Sequence, residues 1–323
     1  MKYIRLKTND PHYNLALEEY LFSHTDDDVF MLWQNAPTVV IGKNQNAYAE
    51  VNVDVAKAKN VYIARRITGG GAVYHDLGNL NYTFITSEQK AKALDYEYFT
   101  RPIVDALATL GVKCELSGRN DLLCDGRKIS GNAQYSSNGR ILHHGTLLFD
   151  ADLGALGQML RIDKEKLDYH SVKSHKSRVV NIKELLSDEL SIEDFIASIE
   201  GYVISNMGAE PLEIKENEII SSIYERNKSD GWIFSEKRFL TNYSVSRRKK
   251  FPFGIVVLQM KLNKDTVEEI VISGDFFERS SVEELERLIV GRRLGDLSGI
   301  DVSRYIDKMS TDELSALMAA EVI

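Results

Sequence analysis

Arg65-Arg66-Ile67-Thr68-Gly69-Gly70-Gly71-Ala72-Val73-Tyr74-His75-Asp76 is the densest chemical signal in the chain. A strand-like run, Val61 to Arg66, ends in three successive glycines and resumes as Ala72-Val73-Tyr74. Without Cβ atoms the glycines can turn tightly and bring backbone N–H groups close to a ligand. Successive N–H donors in such a turn form a nest for phosphate or carboxylate oxygens. The two arginines beside it add positive charge and planar donor forks. The competing reading is a tight glycine-rich hairpin with solvated arginines. No Gly-Lys-Ser or Gly-Lys-Thr follows, so this is not a Walker A loop. No G-x-G-x-x-G opens a helix, which excludes a dinucleotide fingerprint.

Two later segments extend the signal. Ser117-Gly118-Arg119-Asn120-Asp121-Leu122 leads into the turn Asp125-Gly126 and then Arg127-Lys128-Ile129-Ser130-Gly131-Asn132-Ala133. Asp-Gly between apolar runs is a strong hairpin signal. Lys128, just after that turn and beside small residues, can set one ammonium on a carbonyl and a phosphate together; a plain surface lysine is the alternative. Asp121 offers a hard oxygen to a Mg²⁺ that travels with ATP, or simply forms a turn. Leu142-His143-His144-Gly145-Thr146 reads as a strand, so its two histidines point to opposite faces. A zinc site from His75, His143 and His144 lacks thiolate support and ligand spacing.

Around these segments, Asp10-Pro11 suits a helix start. Val29 to Trp33, Thr38 to Ile41 and Leu80 to Ile85 read as strands, and residues 97 to 110 as a helix stopped by Gly111. Helices dominate from about 152 to 227, one of them opening at Ser191. Residues 228 to 250 read as a polar linker ending in Arg247-Arg248-Lys249-Lys250, a solvated cluster or a contact for an acidic partner. A hairpin around residues 263 to 265 and two helices starting near Ser281 and Ser310 complete a small unit. At 323 residues, 43% hydrophobic and 27% charged, the chain is an ordinary globular protein of about two domains. A net charge of −8 gives no global pull toward nucleic acid or anionic membrane. Two cysteines, Cys114 and Cys124, suit a reducing, cytoplasmic setting. No apolar run approaches a membrane span.

In this order the three segments resemble the lipoate–protein ligase family. Asn14-Leu15-Ala16-Leu17-Glu18-Glu19, Val39-Val40-Ile41-Gly42, Arg66 to Asn79 with Asn81, Ser117 to Leu122, Arg127 to Gly131 and His143 to Leu148 match its motifs. Ser174, Ser177-Arg178-Val179 and Asn181-Ile182 fit the segment that follows. The resemblance implies an α/β (α+β) fold shared with biotin ligases: a mixed sheet flanked by helices, plus a small C-terminal α+β domain. It implies a catalytic domain over 1–245 and an accessory domain over 246–323. It implies ATP-dependent activation of lipoate, with Mg²⁺, and transfer to a lysine of lipoyl-acceptor proteins such as 2-oxoacid dehydrogenase E2 subunits and glycine cleavage H protein. Lys128 would be catalytic. Arg66, the Gly71-Ala72-Val73-Tyr74 backbone and Lys128 would hold the nucleotide, and Asp121 the metal. Trp33, Arg65, Thr68, Gly69, Gly70, His75, Ser130, Ala133 and His144 would contact lipoate. A monomer is expected. The rival is an octanoyl or lipoyl transferase between carrier proteins, which in its cysteine form needs an activated thiolate.

Overall fold

The first helix shows how local chemistry sets the element boundaries. Asp10 Oδ1 accepts from the N–H groups of His12 and Tyr13 at 2.9 and 3.2 Å, and Pro11 fills the first helical position, so the helix runs Pro11–His24. Ser191 caps Ile192–Met207 in the same way, and Asp95 caps Tyr96–Thr109. The computed structural model describes residues 1–118, 120–161, 179–239 and 241–320. Arg119, Ser174, Ser177 and Arg178 of the motif segments lie outside these residues, as does part of the helical stretch expected after 152.

In chain order the strands are β1 (Lys2–Arg5), β2 (Val29–Trp33), β3 (Thr38–Ile41), β4 (Tyr62–Arg65), β5 (Val73–His75), β6 (Asn79–Ser87) and β7 (Glu115–Ser117). There follow β8 (Asp121–Cys124), β9 (Arg127–Ser137), β10 (Arg140–Leu148), β11 (Glu210–Pro211), β12 (Val245–Phe251), β13 (Gly254–Asn263) and β14 (Thr266–Gly274). The chain divides into two compact units. One comprises Met1–Val40, Val51–Ala64 and Val73–Lys228; the other comprises Ile41–Glu50, Arg65–Ala72 and Ser229–Ile323.

The first unit is built on an eight-stranded mixed sheet in the order β11-β1-β2-β6-β10-β9-β8-β7. β1 runs parallel to β2 and β11, and the remaining pairs are antiparallel. Alternation assigns each side chain to a face. Phe30 and Leu32, Leu80, Tyr82 and Phe84, and Ile141 and Leu147 form one core with Phe99, Ile103 and Leu107 of helix 96–109 and Phe195 and Ile199 of helix 192–207. The intervening residues face the other way, toward helix 11–24. There the alternation is polar: Asn79, Asn81 and Thr83 on β6, His144 and Thr146 on β10. β3 is the middle strand of a small sheet between β4 and β5.

The second unit contains the antiparallel sheet β12-β13-β14. Helices Val282–Ile289 and Thr311–Ala319 begin at the caps Ser281 and Ser310, the latter with a full capping box through Glu313. Val256, Leu258, Ile272, Leu285, Leu314 and their neighbours are its core. One expectation is corrected here. Arg247 to Lys250 are not linker but strand β12, at the edge of this sheet. An edge strand pairs on one side only and can leave charged side chains in water, which also blocks unwanted strand pairing. Phe251 anchors its end in the core, with the Lys249 ammonium 5.1 Å over the Phe251 ring. Among the described residues no helix is long and apolar enough to cross a membrane.

Candidate active site

The lysine segment owes its geometry to an irregularity in β9. Along β8 and β9, Asp121 faces Gly131 and Leu122 faces Ser130, but Leu123 faces Lys128, so Ile129 is the extra residue of a bulge. In a regular strand Lys128 and Ser130 would share a face. The bulge re-aims Lys128 instead, and its ammonium lies over Gly131: a Cβ added at Gly131 would stand 2.9 Å from Nζ. Nζ is 2.8 Å from Asp121 Oδ1, each side chain about one-third exposed at 35%. Ser130 stays on the core face, fully buried, with its hydroxyl accepting from Asn132 Nδ2 at 3.3 Å. Lys128, Gly131 and Asp121 therefore form one cluster, and the Ser130 side chain is not part of it.

On the same unit, four further side chains form a chain of hydrogen bonds. Trp33 Nε1 donates to Thr83 Oγ1 at 3.0 Å, and Thr83 donates to Glu18 Oε1 at 2.6 Å. His144 Nδ1 lies 3.0 and 3.1 Å from the two Glu18 oxygens. The Glu18 carboxylate, 1% exposed, thus fixes the imidazole as an N–H donor toward it. Ala133 faces His144 across β9 and β10. His143 turns to the opposite face, stacked on Phe99 at 4.8 Å, as adjacent strand residues must. Thr146 Oγ1 accepts from Gly131 N–H at 3.2 Å, linking β10 to the lysine cluster. His75, on β5, lies 3.1 Å from Asn35 Nδ2 through Nδ1 and packs edge-on to Trp33.

The glycine loop belongs to the second unit, and there the Gly70 N–H and both arginines bond to the protein itself. Gly70, with φ of +90°, donates its N–H to Phe276 O at 3.0 Å. A Cβ at Gly69 would stand 2.6 Å from the same carbonyl, and one at Gly42 would overlap Gly70 O. Gly42 and Gly69 are thus required by backbone packed against backbone and Gly70 by its positive φ, whereas a Cβ at Gly71 would meet Asp275 Cβ at an ordinary 3.8 Å. Arg66 folds over the loop: Nε donates to Thr68 Oγ1 at 2.9 Å, and one terminal nitrogen to Gly69 O and Gly71 O at 2.7 and 2.8 Å. Arg65 is buried and donates to the carbonyls of Gly42, Lys43, Gln45, Trp232 and Ile233. Burial, with Arg238 and Arg66 nearby, lowers its pKa to about 9, which leaves it charged at neutral pH. Its guanidinium is a brace for the loop.

Neither thiol is an activated nucleophile. Burial, with Cys124 nearby, raises Cys114 to about 12, and burial also raises Cys124. A thiolate-forming site needs the reverse shift. Among the described residues no group of three or more His, Cys, Asp or Glu side chains is placed to hold a metal ion.

Comparison with known proteins decides the family. Residues 10–203 match the model of the lipoyl protein ligase A/B catalytic domain, and residues 241–318 that of the bacterial lipoate protein ligase C-terminus. The chain belongs to the lipoyl protein ligase family. Its reaction class is that of the lipoate–protein ligases, one of which, LplJ of Bacillus subtilis, is 37% identical over 96% of this chain and 97% of its own length. The lipoyl ligase fold recurs in Plasmodium falciparum LipL1, whose crystal structure in complex with lipoate covers 91% of this chain and 90% of its own, with TM-score 0.77 at 23% identity. A lipoate-protein ligase A bound with ATP covers 72% of this chain and 98% of its own, with TM-score 0.59 at 25% identity. For this family member the expected mixed sheet flanked by helices, with a small C-terminal sheet, is the observed fold.

Four residues around the lysine and the histidine went unassigned in the sequence: Glu18, Asn81, Thr83 and Gly131. Glu18 carried a readable sign, since Asn14 and Glu18 are polar residues one helical turn apart, on a face shared with Leu21 and Phe22. The role of Gly131 depends on the bulge, for which the sequence has no local mark.

Proposed function

We propose that the chain activates lipoate with ATP and passes the lipoyl group to a lysine of a lipoyl-acceptor protein. A carboxylate oxygen of lipoate attacks the α-phosphorus of ATP; the bond to the β-phosphate breaks and pyrophosphate leaves. The neutral amine of the acceptor lysine then attacks the acyl carbon. The C–O bond to AMP breaks, AMP leaves, and the amine loses a proton as the amide forms. Charge builds first on the phosphoryl oxygens and then on the carbonyl oxygen. A fixed ammonium aimed at that charge stabilises it without a covalent enzyme intermediate.

The observation that carries this reading is the placement of Lys128 over Gly131 beside Asp121, within a chain of this family. Lys128 takes the catalytic role. Arg66 and the backbone of Gly71, Ala72, Val73 and Tyr74 take the nucleotide. Trp33, His75, Ala133 and His144 serve the lipoate side; Arg65, Thr68, Gly69 and Gly70 serve it through the shape of the glycine loop, and Ser130 through its backbone. For Mg²⁺ the single carboxylate of Asp121 fits an ion that keeps most of its shell as water and phosphate oxygen. Asp121 would hold it, and it would neutralise phosphate charge. In this reading residues 1–245 carry adenylation and 246–323 are accessory. The acceptors are E2 subunits and H protein, and the enzyme is a cytoplasmic monomer. The raised thiols count against the cysteine-dependent transferase.

The test is pyrophosphate exchange into ATP. Lipoate should support it, biotin should not, and Lys128→Ala should slow it about 10²–10³-fold. Exchange by Lys128→Ala at the parent rate, or acyl transfer from a carrier without nucleotide, would end the assignment.

A further inference from the structure

Asn81 carries a buried amide donor that nothing in the described chain receives. The residue is 1% exposed, and its Nδ2 has no hydrogen-bond partner among the described residues. Its Oδ1 accepts from Asn79 Nδ2 at 3.0 Å, and the fully buried Asn79 has its own Oδ1 unpartnered. Exchanging N and O within the Asn81 amide still leaves one of its polar atoms unmatched. Nearly all buried polar groups in folded proteins are bonded, and the exceptions call for a reason.

The position supplies the reason. Asn81 stands on the face of β6 opposite the apolar core, between Trp33 on β2 and Thr146 on β10. Thr146 bonds Gly131 of β9, and Gly131 faces Asp121 of β8. Trp33, Asn81, Thr146, Gly131 and Asp121 thus form one row straight across the sheet, with the Lys128 ammonium over Gly131. Strands lie about 4.8 Å apart, so Asn81 is roughly 10 Å from Gly131. Between them the Thr146 side chain is neither large nor fully buried. An acyl head lying over Thr146 comes within reach of an ammonium from one side and an amide from the other.

We propose that Asn81 is a second polar contact to the acyl head of the substrate, its Nδ2–H donating to the acyl oxygen that Lys128 approaches from the other side. The inference rests on the lipoate-activating reading and adds a residue to it. A donor waiting at that oxygen does most when the oxygen gains charge, as the acceptor amine attacks. The open Asn79 Oδ1 fits the same picture: the Asn79–Asn81 pair is half satisfied by itself and completed by a ligand.

The experiment separates this from a packing role. Transfer from synthetic lipoyl-AMP to an acceptor domain is measured for Asn81→Ala and for Asn81→Asp, which keeps the acceptor for Asn79 and removes the donor. The expected result is a fall in kcat of about 10²-fold with an unchanged KM for the acceptor. The rise in melting temperature caused by a non-hydrolysable lipoyl-adenylate analogue should also shrink. A packing role would lower the melting temperature of the free protein and leave the ligand-induced rise and kcat intact, overturning the proposal. Failure of both variants to fold would likewise make Asn81 structural. If the unsubstituted protein transfers nothing, the activity reading itself fails; if it is active and both variants match it, only the role of Asn81 falls.

Discussion

Single residues decide whether the lysine is delivered. Gly131→Ala introduces a methyl 2.9 Å from Lys128 Nζ at a backbone conformation open to alanine, so the ammonium must move while the fold stays. Displacement on the ångström scale costs about 10²-fold in rate. Gly131→Ala should therefore resemble Lys128→Ala in pyrophosphate exchange while melting near the unsubstituted protein. His143 makes a pH prediction. Full burial, with His144 beside it, holds its pKa well below the ordinary value, and burial lowers that of His12 too. An imidazole neutral in the fold but protonated when unfolded gives stability present above about pH 6.5 and lost as pH falls toward the folded pKa. Melting temperature should thus drop between about pH 7 and pH 5. His143→Gln, which keeps hydrogen-bonding capacity toward Gln134 and Asn132, should melt lower but with a shallower pH slope. An unchanged slope would show that His143 does not carry the effect.

At the scale of elements, what was legible in the sequence is what local chemistry dictates. Asp10-Pro11, Ser191, Ser281 and Ser310 cap helices because a side-chain oxygen meets N–H groups two or three residues on. Asp125-Gly126 turns the β8–β9 hairpin because both adopt positive φ, 50° and 73°. Replacing Ser310 by alanine removes a full capping box and should cost about 1 kcal/mol of stability, measured by denaturant unfolding. The features that escaped depend on distant partners. β1 pairs with β11 across some two hundred residues of chain, the β9 bulge exists only against β8, and the basic run at 247–250 becomes a strand only because β13 supplies its register. That charge guards an edge. Changing Arg248 and Lys250 to threonine should leave melting nearly unchanged but promote self-association, visible as concentration-dependent light scattering. A variant that stays as dispersed as its parent would contradict this role.

At the scale of the whole molecule, the glycine loop is bound to the C-terminal part of the chain. Gly70 donates to Phe276, and Arg65 to Trp232 and Ile233, within one compact unit assembled from three stretches of sequence. A chain ending at residue 228 lacks those acceptors. Its segment 65–72 should exchange amide hydrogens rapidly and be cut early by protease, whereas in the full chain it should be protected. The triple glycine was legible as a tight turn; that the Phe276 backbone packs against it was not, because Phe276 lies some two hundred residues away. The lipoyl group itself can be followed through both half-reactions. The protein is incubated with ATP, Mg²⁺, lipoate and an acceptor domain, and the products are read by mass spectrometry. Free lipoyl-AMP is expected when the acceptor is omitted and a lipoylated lysine when it is present, with both lost in Lys128→Ala. Lipoylation by Lys128→Ala at the full rate, or without ATP, would contradict the proposed activity.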